Sequence, residues 1–590
     1  MVVSTGVRLN RRWRPALDRP ALAALLLGLA GFGYRLVLTL LTVPSSNSDE
    51  ATFGLAALHV ATGREHPVFL YGQRYMGTAE SYLAAPLLAV AGPSWPALRL
   101  PVLALWALFV WAMYRLTRRI CAPWFAVLVV GLLALGPERV LRDQLTAVGG
   151  RPEVKPAVAL MLLVAVGLAD GRIRARRLAA GAAGLLAGLA LWSDWLIVPY
   201  LAVAGALLAW VLRRELLGWS GALLLAGFAA GAAPLIVDNL RAPAGQDSLS
   251  VLRRISGAAG AVPPLLDRVR GGLTQGVPLA TGLCPADGCA RWQQWFGLLY
   301  PVLLAAAAAL ALVAYRRAAG PRATAPGGEG DRPAASAGDR DGTAAPGGDR
   351  VGAAAQLALV AGAALTLAAY VRSPLAATDP LHNARYLSVL QLSLPVVLWP
   401  LWRAAARLRP GGADPAHGRD RPGGPARRRP RGAAGAVGGS AGRLGGGLVA
   451  AVALAALTAT AVVATGGFLV GLGPVRAEER RARELADTVR RAGLRTVYGE
   501  YWTCNRLIFT TGEEVICGVL DGALTPGQNR YRPYWRQVGR AERPGYVLTA
   551  DSPADRRLRE LLGARAGAAL VAEVGGYRVY HPEAAVRPWR

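Results

Sequence analysis

Residues 82–92 read YLAAPLLAVAG, and whether this piece crosses a bilayer decides the topology of everything around it. Eleven residues rise only about 17 Å as a helix, roughly half of a ~30 Å hydrocarbon core, and Pro86 interrupts them. The segment is therefore read as a re-entrant or juxtamembrane helix, held against protein or a water-filled cavity.

On either side, apolar runs of roughly 15–23 residues repeat along a chain of 590 residues that is 53% hydrophobic and 17% charged. They predict spans near 21–43, 97–116, 121–137, 155–170, 178–192, 195–212, 219–237, 295–314, 352–371, 386–402 and 447–473. The expected fold class is an α-helical polytopic membrane protein with about 11 transmembrane helices. Its formal charge of +29 is gathered in tracts between those runs, such as RIRARR (172–177) and ARRRPR (426–431). That distribution fits the positive-inside rule and anionic lipid headgroups, and it argues against a nucleic-acid partner. The first apolar run is full length and lacks a small-residue cleavage site, so no cleaved signal peptide is expected.

Arginine sets the orientation. The tail 1–20, RLTRR (115–119), RIRARR, RRELLG (213–218) and two linkers, 318–350 and 403–446, are expected on the cytoplasmic side. With 82–92 not crossing, the outer side receives the first loop 44–96, then 138–154, 193–194, 238–294, 372–385 and the whole tail from 474. The chain is thus N-in and C-out. The main membrane module spans 21–317, further helices lie within 351–402, and the last span is 447–473. Both linkers are rich in Gly, Pro, Ala and Arg and are expected to be disordered.

Cysteine usage agrees with this sidedness. Cys284 and Cys289 share one outer loop and Cys504 and Cys517 share the outer tail, so two disulfides are expected, while Cys121 has no evident partner. A zinc site in CPADGC (284–289) is the alternative, with no histidine nearby to complete it; no metal site is expected. Residues 474–590 change character. A charged helix at 476–494 is followed by strands at 495–500, 514–520, 545–550 and 568–582, with a helix near 553–563. This alternation predicts a small extracytoplasmic α/β domain.

Chemistry concentrates in the first loop, which carries Asp49, Glu50, His59, Arg64, Glu65, His66, Tyr71, Gln73, Arg74, Tyr75 and Glu80. Polar membrane-surface helices explain several of these. Adjacent acids beside a bilayer repel each other, so one needs a raised pKa or a cationic partner, as a general base does. In the tail, YGEYWTCNRLIFTTGEE (498–514) and NRYRPYWRQV (529–538) cluster Tyr, Trp and Arg. They suit stacking on sugar rings or packing against the membrane module equally.

SDEA (48–51) after the first span, followed by YGQRYMGTAESYLAAP (71–86), resembles the multispanning GT-C glycosyltransferases, the protein O-mannosyltransferases and aminoarabinose transferases among them. GRPEVKPAVALML (150–162), AGLLAGLALWSDW (183–195) and HNARYLSVLQLSLP (382–395) are similar to that pattern too, and the resemblance covers most of 20–400. It implies that the first-loop acid is the catalytic base, which maps onto Asp49, with Glu50 beside it as the second catalytic acid, tuning its pKa or orienting the acceptor. It also implies a sugar donor carried on a polyprenyl phosphate. At the end of the fifth span Asp194 stands where the family's motif carries a lysine, so no phosphate role is carried over there.

A lipid-phosphate leaving group needs cations at the membrane surface. Arg74, Arg142, Arg151, Lys155 and Arg385 are the candidates, with snorkelling at a helix end as the alternative for each. Asp143 and Glu153, in ERVLRDQLTAVGGRPE (138–153), are read as assisting the base or holding a sugar hydroxyl, with mutual salt bridging as the alternative. Tyr75, Glu80, His382 and Tyr386 complete the substrate-binding set.

The expectation is an inverting, integral-membrane glycosyltransferase of the cell membrane. It would move a sugar from a polyprenyl-phosphate donor to a glycan, lipid or protein acceptor of the cell envelope, surrounded by membrane lipids. No P-loop or Rossmann glycine pattern occurs in a strand–turn–helix context, and no cofactor is expected. Two rivals are a transporter or flippase of a lipid-linked sugar, which calls for mid-membrane charges or an internal repeat, and a non-catalytic scaffold, which leaves the acid pair unexplained.

Overall fold

Backbone polar groups in hydrocarbon must be satisfied within the chain, which makes helices of the long apolar runs. The computed structural model describes residues 18–257, 262–319, 348–408 and 437–589. Among these, nine helices are long and apolar enough to cross a membrane: Arg19–Leu40, Trp95–Ile120, Arg151–Ala169, Trp195–Leu212, Trp219–Arg241, Arg291–Ala319, Asp349–Arg372, Pro380–Ala406 and Gly445–Val470. The chain is a multi-pass membrane protein. Residues 1–17, and most of the two linkers expected to be disordered (320–347 and 409–436), lie outside the described residues.

Two of the eleven apolar runs take other forms. The run at 121–137 becomes helix Pro123–Ala134, followed after a 93° bend by Glu138–Leu145. The bend frees carbonyls, and the fully buried Arg35 fills them: it donates to Leu133, Ala134 and Leu135 oxygens at 2.7–3.1 Å and to Gln144 Oε1 at 2.7 Å. The run at 178–192 forms helix Arg176–Ser193, which opens on two arginines. It packs backbone to backbone against Trp219–Arg241. A Cβ on Gly188 would lie 2.3 Å from the Phe228 oxygen, and one on Gly227 would lie 2.2 Å from the Gly181 oxygen. Small residues permit this close approach, as in membrane helix pairs generally.

The deciding segment forms helix Ala79–Ala91, too short to span and with Pro86 inside it. Its Ala84 and Leu88 pack with Ala51, Leu55 and Leu58 of helix Ser48–Ala61 and with Trp95 and Leu98. Both expected disulfides are present, Cys284–Cys289 and Cys504–Cys517, and Cys121 is free.

The tail is the expected small α/β domain. Strands β1 (Thr496–Glu500), β2 (Ile516–Leu520), β3 (Gly545–Thr549), β4 (Leu570–Val574) and β5 (Tyr577–Tyr580) form one sheet in the order β2-β1-β3-β5-β4. β2, β1 and β3 are parallel, joined through helices Tyr501–Thr510 and Arg532–Arg540, while β5 is antiparallel to both β3 and β4. The last strand run of the sequence, 568–582, is thus a hairpin turned by Gly575 and Gly576.

This domain shares a core with the first loop. Phe509 meets Trp95 at a ring distance of 4.7 Å, Asn505 donates to Thr52 Oγ1 at 2.9 Å, and Arg506 reaches Ser46 Oγ and Glu479, each at 2.8 Å. A second seam is polar. Burial alone would raise the Glu513 carboxyl, but hydrogen bonds from His59, Arg64 and Tyr534 outweigh it and hold it at about 2, against an ordinary 4.5. A depressed carboxyl stabilises the folded state above its unfolded pKa, and that contribution fades as pH falls through the folded one. The melting temperature of the wild type should therefore drop more steeply from pH 4.5 towards 2 than that of Glu513→Gln. Parallel pH profiles would remove Glu513 from the seam.

Candidate active site

Helix Ser48–Ala61 explains how two adjacent acids coexist. Asn47 caps it by accepting the Glu50 N–H at 3.0 Å, and Asp49 and Glu50 occupy its first turn, where the helix dipole favours negative charge. Consecutive residues on a helix point about 100° apart, and each acid finds its own cation. Glu50 turns inward: it and Arg99 are both wholly buried and form a two-pronged ion pair at 2.7 and 2.6 Å. Asp49 turns towards the tail domain. Its Oδ1 accepts from Arg530 at 2.8 Å and from the Tyr501 hydroxyl, and Arg530 Nε in turn donates to that hydroxyl at 2.5 Å. Asp49 Oδ2 takes no hydrogen bond among the described residues, and the side chain is 33% exposed.

This geometry revises the expectation for Glu50. A carboxylate with no exposure and both oxygens on one guanidinium has no path to a substrate hydroxyl, so Glu50 is assigned to the framework. Arg99, Tyr501 and Arg530 are the functional neighbours that reading the sequence missed as individuals. The Tyr/Arg clusters at 498–514 and 529–538 were the available signal, and the structure turns Tyr501 and Arg530 onto Asp49.

The rest of the first loop is pinned to the turn around residue 193. Gly77 N–H donates to the Ser193 oxygen at 3.1 Å and Trp192 Nε1 donates to the Val68 oxygen at 2.9 Å. Gly150 approaches from the other side with a φ of +77°, and a Cβ there would fall 2.2 Å from the Asp194 Cβ, so only glycine fits. Around this turn Glu80 and Ser193 each lie within hydrogen-bond reach of the Glu153 carboxyl, while Glu80 Oε1, both Glu153 oxygens and Ser193 Oγ make no well-aligned hydrogen bond among the described residues. Burial and the neighbouring Glu153 charge raise the Glu80 carboxyl well above its ordinary value, while its Oε2 accepts the Gly149 N–H at 3.2 Å. Half-buried Tyr75 joins the two regions, with Tyr386, Arg530, Arg385 and Asp194 as its charged or titratable neighbours.

The expected phosphate-binding cations separate into two groups. Arg74 is held by Asp238 at 2.7 Å and Arg142 by Glu138 at 2.6 Å. Arg151 is held by the buried Asp143 at 3.0 Å, and Asp143 also takes Arg139 at 3.1 Å, which is the mutual salt bridging weighed for this loop. Lys155 is buried in the bundle, reaching only Gln391 Oε1 at 3.4 Å and the Phe109 ring at 5.7 Å. Arg385 differs. It contacts the Tyr386 hydroxyl at 3.2 Å and lies 5.1 Å from that ring, and it has no acidic partner in an ion pair among the described residues. His382 is exposed beside it, its backbone N–H capped by Asp379 at 3.1 Å. No group of three or more His, Cys, Asp or Glu among the described residues is placed to hold a metal ion.

No family model and no curated protein matches the sequence. Among solved structures, the chain is similar to ArnT from Cupriavidus metallidurans bound to undecaprenyl phosphate, at 13% identity over 95% of this chain and 97% of that one, with a TM-score of 0.51. It also matches the same protein in the apo state (14% identity, 95% and 97% coverage, TM-score 0.47). A further match is the archaeal oligosaccharyltransferase AglB from Archaeoglobus fulgidus (13%, 90% and 69%, TM-score 0.44), in complex with an inhibitory peptide and a dolichol-phosphate. At this identity the likeness to ArnT is one of fold, and that fold is the GT-C architecture.

Proposed function

We propose that the protein is a membrane glycosyltransferase that uses a polyprenyl-phosphate sugar as donor, with Asp49 as general base. The carrying observation is the asymmetry of the partly exposed Asp49 carboxylate: Oδ1 is fastened by Arg530 and Tyr501, and Oδ2 takes no hydrogen bond among the described residues. A base needs an oriented acceptor atom within hydrogen-bond reach of the hydroxyl it deprotonates. Undecaprenyl phosphate bound to a protein of the same fold supports a lipid-borne donor.

In the proposed reaction the acceptor hydroxyl oxygen attacks the anomeric carbon as its proton passes to Asp49 Oδ2. The bond from that carbon to the donor phosphate breaks on the opposite face, and the electron pair leaves with the polyprenyl phosphate, inverting the sugar. Arg385, the outer-face cation without a carboxylate, stabilises the phosphate charge as it develops. Tyr75, Glu80 and Glu153 line the donor side, where their oxygens suit sugar hydroxyls. The acceptor is a component of the cell envelope, met at the outer face of the cell membrane.

The test incubates purified protein with radiolabelled polyprenyl-phosphate sugars and a membrane or wall fraction. Label should appear in a glycosidic product. Movement of the donor across liposomes with no product overturns the reading in favour of a flippase. Arg385→Ala should raise the KM for donor roughly 10- to 100-fold, the scale of one hydrogen bond to a charged group. A wild-type donor KM in a normally folded variant would remove Arg385 from the phosphate site.

A further inference from the structure

At the end of the bundle opposite Asp49 lies a cavity of about 1140 Å³ that the proposed transfer does not use. Helix Trp95–Ile120 measures the separation: Arg99, on Glu50, and Arg119, on the cavity, stand twenty residues apart, or roughly 30 Å along its axis. The inner half of the cavity is apolar, lined by Leu25, Leu29, Phe32, Trp106 and Val110. Its mouth is basic.

Charge at the mouth is unevenly matched. Arg118 is neutralised by Asp18 at 2.7 Å and Arg172 by Asp170 at 3.4 Å. Half-buried Arg119 has no hydrogen bond or ion pair among the described residues and shares the field of Asp170 with Arg172, and exposed Arg115 meets the Trp111 ring at 5.8 Å; in all, Arg115, Arg118, Arg119, Arg172 and Arg403 line the cavity against Asp18, Asp170 and Asp349. Two guanidiniums at the rim of an apolar chamber call for a ligand that is anionic at one end and hydrocarbon at the other.

The chain's own undescribed segments lack that combination. Residues 1–17 carry Arg8, Arg11, Arg12 and Arg14 and no acid. The segment 320–347 has four acids but no apolar side chain larger than Ala or Pro, and 409–436 is strongly basic.

We propose that this cavity binds an anionic glycerophospholipid from the leaflet opposite the Asp49 site. Arg115 and Arg119 hold the headgroup phosphate, and an acyl chain lies along Leu25, Leu29 and Phe32. Bulk lipid of that leaflet supplies the ligand continuously, whereas the polyprenyl-linked donor is used at the other face.

Native mass spectrometry of the full chain, released from detergent with dioctanoyl phosphatidylglycerol, tests the proposal. The wild type should retain the lipid in preference to dioctanoyl phosphatidylcholine, and inorganic phosphate should not displace it. The double variant Arg115→Glu/Arg119→Glu should bind at least about tenfold more weakly, since each basic residue near an anionic headgroup contributes on the order of 1 kcal/mol. It breaks no ion pair. Gly28 offers a second, uncharged variant: it lines the cavity between Leu25 and Leu29 and a Cβ there meets nothing within 4 Å, so Gly28→Phe should obstruct the acyl path and weaken retention without lowering the melting temperature. Equal retention of phosphatidylcholine, wild-type affinity in both variants, or tighter retention of farnesyl phosphate than of phosphatidylglycerol would overturn it.

Discussion

Asp49→Asn is expected to lower glycosyl transfer by roughly 10²–10⁴-fold, the scale of losing a general base. The substitution keeps the size of the side chain and leaves an amide oxygen for Arg530 and Tyr501, which both bind at Oδ1. It removes the proton acceptor at Oδ2. Donor affinity should survive, because a carboxylate adds no attraction to phosphate, so the loss belongs in kcat. Arg530 is only 5% exposed and loses a charged partner, so the melting temperature must be recorded beside the activity. Full activity in a folded Asp49→Asn protein would end the catalytic assignment.

Glu50→Gln should act on the fold. Its pair with Arg99 has no exposure on either side, and the substitution strands a buried guanidinium. Breaking such a pair from one side costs roughly 3–5 kcal/mol, whereas replacing both partners by apolar residues of similar volume is often neutral or stabilising. The expected signature is a large drop in melting temperature for Glu50→Gln and recovery in Glu50→Met/Arg99→Met, with transfer activity recovering too. A double variant that melts like the wild type yet is as inactive as Asp49→Asn would return Glu50 to the chemistry. Neighbouring acids thus give opposite readouts, one catalytic and one thermodynamic.

Hydropathy and local pattern were enough to place the long apolar helices, the non-crossing Ala79–Ala91 helix and the strands of the tail. These features are properties of short windows: helix length against bilayer thickness, a proline within eleven residues, alternation along a strand. The two disulfides were legible because few cysteines share each outer segment. The bend after Ala134 was read as one span, and the group that satisfies the carbonyls it frees is Arg35, about a hundred residues away. Which partners the two acids meet was decided by tertiary structure alone. Glu50 meets Arg99 across 49 positions and Asp49 meets Arg530 across 481. Lys155 and Arg385, which look alike as outer-loop cations, end inside the bundle and without an ion-paired acid among the described residues, respectively, while the pairing of Arg151 with Asp143, eight positions away, was already weighed as salt bridging within that loop. An ionisable group's role depends on what faces it; the packing of the membrane helices brings Arg99 to Glu50, and the docking of the tail domain on the first loop brings Arg530 to Asp49.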